Sequence, residues 1–226
     1  YEISACLVGS EMCIRDRARI VNNEIDMLWY VWLERPGSLI PYQYWMKGLG
    51  VSMNVGCSGN TVSGNNIINC ETGIAGRGSG NTIKDNTAVN CTAGILLRGS
   101  DIVLNNMLID CVHGIKLDDC DGAVVTGNHL LDSDIYIGPK AKNCRVDNND
   151  LHNGTFILDV TSSTSGNLKT ITITDSNTVN GGPFVFHIGE DMHYAVISEA
   201  GQLLLIEVKN LFIDGLTVNG GYNAIT

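Results

Sequence analysis

The chain has 226 residues, with 14 Lys and Arg against 24 Asp and Glu and a formal net charge of −10. It carries no Lys/Arg run to face a phosphate backbone and no apolar stretch of about eighteen residues, so neither a nucleic-acid partner nor a transmembrane segment is expected. Glycine is plentiful at 26 and proline scarce at 4, a balance that turns attention first to internal repeats.

Residues 1–17 stand apart. Read back as codons, Leu7–Asp16 and the first two bases of Arg17 reproduce a transposase-type sequencing-library adapter in one frame, and Ser4 and Ala5 fall in its variable index. These residues are expected to be adapter-derived, to join no folded unit and to carry no function. The natural chain is then expected to extend beyond both ends of the sequence given. Setting them aside leaves the chain acidic and keeps Cys57, Cys70, Cys91, Cys111, Cys120 and Cys144.

Residues 18–49 hold all three Trp (Trp29, Trp32, Trp45) with Tyr30, Tyr42 and Tyr44 and fit no repeat. They are expected to be an aromatic-rich insertion or an N-terminal cap that shields the open end of a repeat stack, the alternatives being an aromatic sugar-stacking surface or another assembly artefact.

Residues 50–160 are regular. Asn65, Asn86, Asn106, Asn128 and Asn149 recur at spacings of 21, 20, 22 and 21. Three positions earlier runs an apolar column, Val62, Ile83, Val103, Val125 and Val146. Five positions later come the small residues Cys70, Cys91, Cys111, Ser133 and Gly154. A Gly-Ile step follows at Gly73, Gly94 and Gly114, with Asp134-Ile135 in the fourth copy. Short period-two apolar runs between Gly, Asn and Asp turns read as strands. One such coil cannot bury its apolar face, whereas stacked coils can. The fold class is therefore all-β, a parallel β-helix with coils of about 20–22 residues, right-handed by the crossover rule. The Asn column is expected to be a side-chain amide ladder, with Asn also supplying the left-handed corner residue. The Cys column is expected to fill a tight corner as free thiols. Residues 161–226 are expected to continue the β-helix around an enlarged loop, Phe186–Ala200.

The segments "SGNTVSGNNI", "SGNTIKDNTAVNCTAGILL" and "VHGIKLDDCDGAVVTGNHLLDSDIYI" resemble the repeats of NosD-type β-helix proteins, within the wider class of carbohydrate-binding and sugar-hydrolase β-helices. "NTVNGGPFVF" (Asn177–Phe186) and "EAGQLLLIEVKNLFIDGLTVNGGYNAIT" (Glu199–Thr226) are similar to a segment of archaeal, especially methanogen, NosD-domain surface proteins. The family name implies copper delivery to nitrous oxide reductase. Copper sites gather His, Cys and Met about one point. Here only Met107 and His129 fall in one column on neighbouring coils, so the copper role is not carried over.

Alternation after each Gly-Ile step directs Arg77, Arg98, Lys116, Asp118 and Tyr136 outward on one face, where a polysaccharide or surface glycan could bind. His113, Lys116, Asp118 and Asp119 have the residue types of a polygalacturonase-like site, which pairs an acid with a carboxylate that activates water. The other motifs of such enzymes are missing, so catalysis is not expected. No cofactor is required; calcium at Asp118, Asp119 and Asp121, or a metal at His187, Glu190, Asp191 and His193, are lesser candidates. Asn90 and Asn153 begin N-glycosylation sequons. The expected function is that of an exported, non-catalytic surface module, extracellular or periplasmic, with carbohydrate binding. The alternatives are a polysaccharide-active enzyme and a periplasmic copper-binding accessory protein.

Overall fold

Short alternating segments bury their apolar faces only by stacking at strand spacing. The computed structural model of the chain is a parallel β-solenoid of about seven turns. It describes residues 2–3, 19–26, 28–33, 42–53, 57–159, 165–193, 196–218 and 224–225.

Each coil contributes one strand to each of three sheets. Sheet 1 takes Glu2–Ile3, Arg19–Val21, Thr61–Ser63, Ser79–Lys84, Ser100–Leu104, Val124–Thr126, Arg145–Asp147 and Thr172–Ile173. Sheet 2 takes Glu24–Asp26, Asn66–Ile68, Thr87–Val89, Met107–Ile109, His129–Leu131, Asp150–His152 and Thr178–Val179, then the strands of a last, irregular region. Sheet 3 takes Leu49–Met53, Thr72–Gly76, Ala93–Leu97, His113–Leu117, Asp134–Ile137 and Phe156–Leu158.

Identical side chains stack in register. Ile83 lies on Val62 and under Val103, and Ile95 lies between Ile74 and Ile115. Every member of these inward columns is buried. Each such side chain contributes about 1.5–3 kcal/mol by leaving water, so the core holds the solenoid together along its whole length.

The corners explain the polar columns. Asn Nδ2 donates to the next Asn Oδ1 at 2.8–3.0 Å from Asn65 through Asn86, Asn106 and Asn128 to Asn149. Two rungs extend the expected ladder: Asn23 donates to Asn65 at 2.9 Å, and Asn149 donates to Asn177 at 2.9 Å. The ladder Asn is not the left-handed residue, contrary to expectation. That role falls to its predecessor: Asn22, Gly64, Asp85, Asn105, Gly127 and Asn148 all have φ between 52° and 67°. The side chain that bridges coils and the backbone that turns the corner are thus neighbouring residues.

A second column, Asn69, Asn90, Asp110, Asp132, Asn153 and Asn180, is left-handed at the next corner. The Cys column follows it directly. All six cysteines of the solenoid are thiols, and all are buried. The hydrogen bond with Cys91 and then burial push the Cys111 thiol above its ordinary pKa. At the third corner Asn60 donates to Asn81 at 2.8 Å and Asn81 to Asp101 at 2.9 Å.

Three features depart from the sequence reading. Glu2 and Ile3 pair with Arg19 and Ile20 on the edge of sheet 1, so this part of residues 1–17 does join a coil; residues 4–17 lie outside those described. Residues 19–26 fit the repeat: Ile20 pairs with Val62 and Ile25 with Ile67. The aromatic-rich insertion is the narrower antiparallel pair Leu28–Leu33 with Tyr42–Lys47, placed between the second and third strands of the first coil. It hides the repeat because it stretches the spacing from Asn23 to Asn65 to 42.

The third departure is at the other end. Gly182–Ile188 turns back antiparallel to Thr178–Val179, through Asn180 (φ 49°) and Gly181 (φ 82°). Two successive left-handed residues, Asn-Gly, make a tight hairpin turn whose twist suits the flanking strands. Gln202–Ile206 and Ala224–Ile225 then add parallel to the reversed strand. Phe186–Ala200 is not one enlarged loop, since Phe186–Ile188 belongs to this strand and Val196–Ala200 forms another, paired with Phe212–Val218. The regular coils run straight from Thr61 to Leu158 and carry the candidate sites on their outer faces.

Candidate metal centre

The position after the ladder Asn opens each sheet 2 strand. Corner geometry fixes the Asn, and strand alternation then turns the next residue outward. Along the stack this outward column reads Asn66, Thr87, Met107, His129, Asp150 and Thr178. Two residues further on lies a parallel outward column, which places His152 opposite Leu131.

These columns bring together three ligand types. His129 Nδ1 lies 3.2 Å from Asp150 Oδ2, and His152 Nε2 lies 3.0 Å from the same oxygen. The two imidazoles meet edge to face, with centroids 5.2 Å apart. One ligand atom from each of His129, Asp150 and His152 lies within 4.8 Å of the others. Thr178 Oγ1 donates to the second carboxylate oxygen and orients the group from behind. Burial alone would raise the Asp150 carboxyl pKa; the bond from Thr178 and the imidazoles outweigh it and hold the value below the ordinary one. Side-chain exposures of 39%, 40% and 48% leave the cluster open to an ion from solvent.

Met107 faces His129 from the preceding coil and is itself exposed. The two metal candidates from the sequence, Met107 and His129, are therefore neighbours. Asp150 and His152 were missed, although the signal was present: Asp150 follows Asn149 as His129 follows Asn128.

The sheet 3 face gathers the other candidates. The outward column Ala75, Leu96, Lys116 and Tyr136 holds its register. Its first two members are buried, so the polar face begins only at Lys116. Lys116 Nζ sits 5.0 Å over the Tyr136 ring, and the His113 ring packs 4.9 Å from it. Tyr136 donates to Asp159 at 2.6 Å; burial first, then this bond, push the phenol up to about 12. Burial, then the Lys116 charge, lowers the His113 pKa. Arg98 Nη2 grips Asp118 at 2.7 Å, while Arg77 Nε is buried without a hydrogen-bond partner. Asp119 pairs loosely with Lys140 at 3.7 Å, and Asp121 with Lys142 at 3.2 Å. A shallow cleft of about 320 Å³ opens among Arg98, Asp118, Asp119, Pro139 and Lys140. The four catalytic candidates thus divide: His113 and Lys116 pack on Tyr136, whereas Asp118 and Asp119 each face a cation in the turn beyond.

The last candidate loop is a set of local pairs. His187 bonds Glu190 at 2.9 Å, and Asn210 Nδ2 reaches both Asp191 oxygens at 2.9 and 3.0 Å. Among the described residues it does not gather three metal ligands, which only the His129 cluster does.

No helix among the described residues is long and apolar enough to cross a membrane. No individual curated protein matches the chain. The family model described as periplasmic copper-binding protein (NosD) matches residues 45–186, more than half of the sequence and nearly all of the regular coils. Repeat, solenoid and family match agree, and the chain belongs to the NosD family of parallel β-helix proteins.

Proposed function

We propose that this chain is a copper-binding β-helix protein of the periplasm or another exported compartment, holding the ion on sheet 2 through His129, Asp150 and His152. The convergence of three ligand atoms from two adjacent coils carries the reading. Imidazole suits copper, and a carboxylate completes a nitrogen–oxygen donor set. Both rings already aim a nitrogen at one oxygen, so little reorganisation separates the present arrangement from a ligating one. Thr178 supplies the outer bond that orients the carboxylate. Met107 adds a soft thioether within reach of the same column. A copper ion held there would sit on the outside of a rigid scaffold, accessible to a partner that delivers or accepts it.

Titration of the protein with Cu(II), followed by calorimetry, tests this. His129→Ala and His152→Ala should each weaken uptake by about tenfold or more, on the scale of removing one ligand or its support. Uptake that is unchanged in both variants contradicts the site.

The cleft beside Arg98 and Lys140 favours a second reading, a surface module that binds an acidic or neutral glycan there. A glycan array compared with Arg98→Ala and Lys140→Ala separates the two, because neither residue touches the metal cluster.

A further inference from the structure

Cys120 and Cys144 lie at the third corner, away from the Cys70–Cys91–Cys111 column. Cys120 lies within the turn between His113–Leu117 and Val124–Thr126, and Cys144 lies in the turn one coil later, directly before Arg145–Asp147. Their sulfurs are 3.3 Å apart. The two turns are bound together at this point. Lys142 N–H donates to the Cys120 carbonyl at 3.0 Å, and Gly122 N–H donates to the Lys142 carbonyl at 3.0 Å. Asp121 then holds Lys142 at 3.2 Å and accepts from Asn143 at 2.7 Å. The backbones are therefore clamped with the thiols facing each other. Both sulfurs are buried, yet Asp119, Asp121, Gly122, Lys142, Asn143 and Arg145 around them are exposed. Opening of one of these surface turns would uncover the pair.

We propose that Cys120 and Cys144 form a dithiol site that a small-molecule disulfide closes into a covalent staple between successive coils. One cysteine thiolate attacks the oxidant's S–S bond and releases one of its thiols. The second cysteine sulfur then displaces the other. The Cys120–Cys144 bond forms, the oxidant's bond breaks, and its two sulfurs leave with the two electrons and two protons. The hydrogen bond between the thiols favours this, since it lowers the Cys144 pKa while it and burial raise that of Cys120. The staple closes a loop of chain that the unfolded state must otherwise leave open, so the oxidised form resists denaturation.

The test incubates the folded full chain with glutathione disulfide, in urea below the unfolding transition so that turns can open. Free thiols are then alkylated and the protein is mapped with trypsin without reduction. The expected product links Leu117–Lys140 to Asn143–Arg145, lacks two hydrogens, and shows a raised urea midpoint that reductant reverses. Cys144→Ser, with its fold checked by circular dichroism, should yield no such link and no raised midpoint. Cys120 and Cys144 remaining alkylated, each carrying glutathione, or a link between Cys91 and Cys111 in their place would overturn the proposal.

Discussion

Asn106 and Asn128 stand one above the other on successive coils, and both the Asn106 side-chain Nδ2 and its backbone N–H donate to Asn128 Oδ1, at 3.0 and 2.9 Å. One oxygen thus satisfies two buried donors, and the pattern repeats along the corner. Asn106→Ala would strip both acceptor bonds from Asn86, whose Nδ2 and N–H reach Asn106 Oδ1 at 2.9 and 3.0 Å. At about 1–3 kcal/mol per orphaned buried donor, the loss is roughly 2–6 kcal/mol. Asn23→Ala, at the end of the ladder, should cost only about 1 kcal/mol. Urea midpoints of the two variants check this, and equal losses would show that position in the ladder does not matter.

Asp101 ends the Asn60–Asn81 ladder fully buried, with Oδ2 unpaired. Burial raises its pKa despite two hydrogen bonds from Asn81 that lower it. A raised folded value means that its favourable contribution is complete below the ordinary carboxylate pKa and is lost as pH rises through the folded one. Asp101→Asn should therefore lose less stability than the parent between pH 4 and pH 8. Denaturant melts across that range measure it; parallel curves for the two proteins would contradict the assignment.

The Gly-Ile glycines serve close approach rather than unusual φ. A Cβ on Gly94 would lie 2.7 Å from the Gly114 carbonyl oxygen and 2.9 Å from Leu108 Cδ1. Gly94→Ala should cost about 1–3 kcal/mol by overpacking. Gly80 has open space around it but φ of +68°, so Gly80→Ala should cost about 1–2 kcal/mol through backbone strain alone. Thermal melts distinguish the two mechanisms when each is changed to Val: the Gly94 cost grows with side-chain volume, whereas the Gly80 cost follows backbone preference.

Gln202 closes the end of sheet 3. Its Oε1 accepts from Phe156 N–H at 2.8 Å, and its Nε2 donates to Phe156 C=O at 2.9 Å. A side-chain amide here imitates the next strand. Gln202→Leu leaves both backbone groups unpaired next to the Phe156–Phe184 stack, at a cost of roughly 2–4 kcal/mol. Faster amide exchange at Phe156 in the variant is the direct readout.

Much of this architecture could be read from the sequence because each corner repeats its requirement. The ladder Asn, the apolar position three residues earlier and the small residue five later are each fixed by one local geometry. Asn23 and Asn177 escaped because a hairpin and an irregular coil stretch their spacings to 42 and 28. The chain reversal at Asn180-Gly181 was marked by its Asn-Gly pair, but a turn signal alone does not say whether the next strand continues the coil or runs back on the last one. The metal cluster is harder to read. His129 and Asp150 share a column, whereas His152 belongs to the next one, and only the stacked strands show that the three converge.

The most direct test of the copper assignment is anomalous diffraction at the copper edge from crystals soaked in Cu(II). An anomalous peak is expected at bonding distance from His129 Nδ1, Asp150 and His152 Nε2, absent in His152→Ala crystals treated alike. A peak elsewhere, or none at occupancies that saturate binding in solution, would contradict it.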